Sequence, residues 1–109
     1  MKSERFDSIV ADRCDSIKSI LASKAKEYAK GDRLHNFKVA SAISNCTPER
    51  ALKGMMMKHL VSVFDIIDDL DKNIVPTSEL VDEKIGDLIN YSILLEALLK
   101  ERISHELPF

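Results

Sequence analysis

Two lines of polar side chains run beside apolar stripes, where a purely solvated face would not put them. Lys58, Ser62, Asp65 and Asp69 recur at three- and four-residue steps, with His59 adjacent, and Glu83, Asp87 and Asn90 do the same with Tyr91 beside them. A chain folding back about residues 74–75 brings Glu83 level with Asp65 and Asp69, Asp87 level with Lys58 and Ser62, and Asn90 level with His59. Mg²⁺ takes oxygen ligands, so Asp65, Asp69, Glu83 and Asp87 form the candidate metal set. Lys58 offers a point charge to phosphate, while His59, Asn90 and Tyr91 can fix a base or sugar. The alternative is a structural polar layer in which Lys58 pairs with Asp87 and the acids face solvent.

A second group lies upstream, in Lys24-Ala25-Lys26-Glu27-Tyr28 and Asp32-Arg33-Leu34-His35-Asn36-Phe37. Lys24 and Tyr28 share a helical face, Arg33 adds a cation, and His35 and Asn36 stand where a helix begins and its free backbone N–H groups can hold an anion. A plain capping turn anchored by Asn36 and Phe37 explains the same residues. There is no nucleophilic Ser or Cys with a base partner and no Gly-rich phosphate loop, which excludes GxG-type dinucleotide binding.

The elements that must position these groups are helical throughout. Phe6, Ile9, Val10, Cys14, Ile17, Ile20, Leu21, Ala25 and Tyr28 mark one stripe of a helix over 4–30, ended by Gly31-Asp32. A shorter helix follows over 35–45. Thr47-Pro48-Glu49 starts a third over 48–71, with Thr as N-cap, Pro at the first position and Glu at the positive end. Its Met55-Met56-Met57 run serves as core filling. Ser78 caps the last helix, over 78–104, in which His105 just beyond has a structural role only. The expected architecture is one all-α domain over 1–109, a compact bundle of about four helices.

Composition agrees. The 109 residues are 45% hydrophobic and 31% charged, with three glycines, three prolines and no Trp, so the core is aliphatic and the elements are long. A net charge of −2 argues against general binding to DNA or RNA. The charge is nonetheless divided: residues 1–58 carry twelve Lys/Arg against seven Asp/Glu, and residues 59–109 carry four against eleven. Packed helices or subunits complement each other in this way, and so does a site for metal and phosphate. The opening MKSERFDS is too polar for a signal peptide, and no apolar run approaches the ~20 residues of a membrane span. Cys14 and Cys46 fit no zinc or disulfide pattern and suit buried thiols in a reducing cytoplasm.

Taken together, Lys24-x-x-x-Tyr28, Asn36-Phe37, Lys58 on a long helix and the run from Asp82 to Asn90-Tyr91 resemble small phage and prophage proteins of the nucleotide-modification-associated, or distant MazG-like, group. The resemblance spans roughly residues 20–100. It implies an all-α, often oligomeric, nucleotide-handling protein in the host cytoplasm. MazG-like enzymes cleave nucleoside triphosphates to monophosphate and pyrophosphate with Mg²⁺, held by E-E-x-x-E on one helix and E-x-x-D on the next. Here the first cluster is Asp65, Asp68 and Asp69, and Glu83 and Asp87 stand at i, i+4 rather than i, i+3.

Two functional classes follow. As a pyrophosphohydrolase, the chain would hold metal on Asp65, Asp69, Glu83 and Asp87 and phosphates on Lys24, Arg33 and Lys58. As a binder that sequesters a nucleotide or other phosphorylated small molecule, such as a defence signal, it would use the same cations with His35, Asn36 and Tyr91. A ligand-free helical adaptor is the third option. Long helices with more apolar surface than one bundle face needs, including Leu94, Leu98 and the methionines, point to a homo-oligomer.

Overall fold

The computed structural model describes residues 1–27 and 31–106, and of residues 24–27 and 106 the backbone alone. Four α-helices and no strand make up the described residues, as the periodicity predicts: α1 (Ser3–Glu27), α2 (His35–Ser44), α3 (Pro48–Leu70) and α4 (Ser78–Glu106). None is long and apolar enough to cross a membrane. The chain divides into two compact units, Met1–Arg33 and Leu34–Phe109.

The first unit is essentially α1. Its stripe residues Phe6, Ile9, Val10 and Ile20 are exposed, while the Arg33 guanidinium turns back to donate to the Leu21 carbonyl. Gly31 sits at φ 75°, a conformation that a residue bearing a Cβ adopts only with strain.

In the second unit α3 packs against both α2 and α4. The helix ends follow local chemistry. The Thr47 hydroxyl accepts from the Arg50 N–H at 3.2 Å and Pro48 occupies the first turn, as read from the sequence. Asn45 closes α2 in the left-handed conformation (φ 53°), its N–H bonded to the Ser41 carbonyl. At the start of α4 the capping hydroxyl belongs to Thr77, which accepts from the Leu80 N–H at 3.1 Å, and Ser78 is already helical. Either residue can cap; Thr77 does so because its side chain is three positions ahead of a free N–H. The turn between α3 and α4 is made by Asn73 at φ 62°, with the Ile74 N–H returning to the Asp69 carbonyl.

Leu34, Phe37, Leu52 and Leu98 form the core of this unit, one or two from each helical segment, and Leu52 is fully enclosed. Met55, Met56, Tyr91, Leu94 and Leu95 pack around them. Met55 and Met56 therefore fill the core as expected, but Met57 points outward with Val61, Phe64 and Ile67. At 100° per residue three consecutive positions cannot all face inward. Neither thiol is buried as expected: Cys14 is exposed and Cys46 is half-buried; both are free.

Two ion pairs tie the far end of the unit. Arg102 on α4 donates twice to the Glu49 carboxylate, at 2.7 and 2.8 Å, and Lys38 on α2 meets Glu101 at 2.7 Å. The Arg102 hydrogen bonds hold the Glu49 carboxyl below its ordinary value of 4.5. A lowered carboxyl stabilises the fold above its unfolded pKa, and that stabilisation disappears as pH falls through the folded one. Replacing Glu49 with Gln should therefore cost about 1 kcal/mol or less near neutrality, since Arg102 is partly solvated. Thermal melts of both proteins from pH 7 to pH 3 should converge below pH 4.5, and a constant difference across that range would contradict the assignment.

Candidate functional site

The fold-back of α4 on α3 sets the register of the site. His59 lies against both Asp87 and Tyr91: its Nδ1 is 3.6 Å from the Asp87 Oδ2, and its ring centroid is 4.6 Å from that of Tyr91, the planes tilted by 35°. Asp87 and Tyr91 are one turn apart on α4, so a single side chain on α3 reaches both. Tyr91 also meets Phe37 of α2 edge-on, with centroids 6.3 Å apart. Three helices thus contribute one aromatic side chain each to a continuous wall.

Asn90 lies one position before Tyr91 and three after Asp87, on the same turn of α4. It is 8% exposed, and its Oδ1 is buried without a hydrogen-bond partner among the described residues. Such an atom costs roughly 1–3 kcal/mol relative to a satisfied one. The group grades from wet to dry along α4: the Asp87 side chain is 38% exposed, His59 across from it 17%, and Asn90 is enclosed.

The expected levels of the hairpin are the observed ones where contacts define them, since His59 meets the turn containing Asn90 and Asp87 lies beside the Lys58–His59 step. The expected pairing of Lys58 with Asp87 is replaced by His59 with Asp87, because a one-residue step turns the neighbouring side chain by 100° and leaves Lys58 exposed. The carboxylates do not gather. Asp65 is exposed, Asp69 lines a 170 Å³ cleft with Ile66, Ile74, Val75, Pro76, Thr77 and Leu80, Glu83 lies 3.7 Å from the Lys84 ammonium, and Asp87 faces His59. Among the described residues no three His, Cys, Asp or Glu stand close enough to hold a metal ion. The reason is orientation: Glu83 lies against Lys84, Asp87 against His59, and Asp65 turns to solvent.

Tyr28 and the Lys24 side chain lie outside the described residues. Arg33 belongs to the first unit, whereas His35, half-buried, and Asn36, exposed, open α2 in the second. Leu34 precedes that helix with no side-chain cap on its N–H groups.

Sequence reasoning passed over a second concavity, a 210 Å³ pocket lined by Lys38, Pro48, Glu49, Leu98, Glu101, Arg102 and His105. The signal for it was present, since the same fold-back that sets His59 beside residues 87–91 places Glu49 opposite Arg102. Its charges are already matched by the two ion pairs. His105, read as structural, is part of this lining. Phe37, read as a turn anchor, proves to be a core residue and the buried member of the aromatic wall.

No known family model, no curated protein and no solved structure matches this chain.

Proposed function

We propose that this chain is a helical nucleotide-binding protein that holds its ligand without hydrolysing it. The observation that carries the reading is the stacked pair of His59 and Tyr91, closed behind by Phe37 and set beside the Asp87 carboxylate. A flat base gains about 1–3 kcal/mol from stacking on an aromatic platform, and it does so whatever its sequence identity. Lys58, exposed one position before His59, would offer a phosphate its positive charge. Binding is favoured over turnover because, among the described residues, no three metal-ligating side chains stand together to hold a catalytic metal cluster.

Calorimetry with nucleoside mono- and triphosphates, with and without MgCl₂, tests this directly. The expected result is binding that survives removal of Mg²⁺, accompanied by no release of inorganic pyrophosphate from any triphosphate. Lys58→Ala should weaken binding and flatten its dependence on salt, since one phosphate contact is lost. Pyrophosphate release that requires Mg²⁺ would establish the hydrolase instead, and absence of heat with every nucleotide would remove the reading altogether.

A further inference from the structure

The aromatic wall explains how a ring can be held but not how it would be recognised. Asn90 supplies what is missing. Its amide is more than nine-tenths enclosed, and its Oδ1 accepts no hydrogen bond from any described residue. A leucine in the same place would bury apolar surface and leave nothing unpaired, as Leu94 does one turn later on the same face. Buried polar atoms in folded proteins are paired almost without exception, so an isolated acceptor on the turn of α4 that carries Asp87 and Tyr91 is open to a donor that arrives from outside.

We infer that Asn90 reads the edge of a nucleobase, its Oδ1 accepting an N–H from the base whose face lies along the His59–Tyr91 pair. This rests on the nucleotide reading above. An asparagine amide presents an acceptor and a donor side by side, matching the donor-and-acceptor edge that a base uses in pairing. The ligand class is therefore a nucleotide with an unblocked N–H on that edge, and a base methylated there is excluded because Oδ1 would face a methyl group instead of a donor.

The test uses AMP, CMP, GMP and UMP, each beside the analogue whose pairing-edge nitrogens carry no hydrogen (N6,N6-dimethyl-AMP, N4,N4-dimethyl-CMP, N1,N2,N2-trimethyl-GMP and N3-methyl-UMP). Whichever base binds the wild type, its blocked partner should bind at least tenfold more weakly, and in Asn90→Leu the two should bind alike. Equal affinity for blocked and unblocked ligands in the wild type overturns the inference while leaving nucleotide binding intact; no binding by any of the four removes the nucleotide reading itself. A second measurement needs no ligand. Asn90→Leu should raise the melting temperature of the free protein, because the unpaired acceptor is gone. A lowered melting temperature would make the amide a structural fixture and count against its role as a reader.

Discussion

Replacing Leu52 with alanine is expected to destabilise the second unit by about 2–5 kcal/mol, the range for truncating a fully buried leucine. Leu52 is fully enclosed, and it is the residue through which the α2 pair Leu34–Phe37 and the α4 residue Leu98 share one core. Small domains hold stabilities at the low end of about 5–15 kcal/mol, so a loss of this size removes a large part of the total. Thermal or urea unfolding followed by circular dichroism should show the transition moved sharply downward, with Leu52→Met losing much less because the volume is conserved. Near-identical unfolding of Leu52→Ala and the wild type would mean that the three helices do not depend on this contact.

The second large effect concerns ligand affinity. Tyr91 touches His59 on one side and the edge of Phe37 on the other, so its ring is the centre of the wall. Tyr91→Ala should lower nucleotide affinity by about 1–3 kcal/mol, or roughly 5- to 150-fold, through loss of the stacking surface. Tyr91→Phe keeps the ring and both aromatic contacts and should bind within a few-fold of the wild type. The alanine variant also gives up aromatic pairing worth about 0.5–1.5 kcal/mol of stability, so affinities belong at a temperature where both proteins are shown to be folded. Equal losses in the alanine and phenylalanine variants would shift the interaction from the ring to the hydroxyl.

Much of this arrangement was legible in the chain because helical periodicity and capping are local. Four helices, the Thr47-Pro48 start and the fold-back near residue 74 all follow from short windows, and with the fold-back comes the meeting of His59 with the turn of Asn90. What local windows do not carry is rotation about the helix axis at one-residue resolution. That rotation puts His59 rather than Lys58 against Asp87, and turns Met57 away from Met55 and Met56. The dispersal of the carboxylates has the same origin: Asp65 and Asp69 share a side of α3, but sharing a side does not bring them to Asp87. The Glu49–Arg102 pair, 53 residues apart in sequence, needed the register of the hairpin to be taken to its far end.

In the second unit each helix packs on its neighbour in the chain, α2 on α3 and α3 on α4. The connections between them are short, so little chain entropy is spent in bringing each partner to the last. Assembly can then follow synthesis: α3 meets an α2 that has already been made, and α4 folds back on α3 as it emerges. Topologies dominated by such near-neighbour contacts cross their folding barrier in microseconds to milliseconds. The exposed apolar face of Met57, Val61, Phe64 and Ile67 therefore spends little time alongside an unfinished core, which limits the interval in which a nascent chain offers more than that one face to its surroundings.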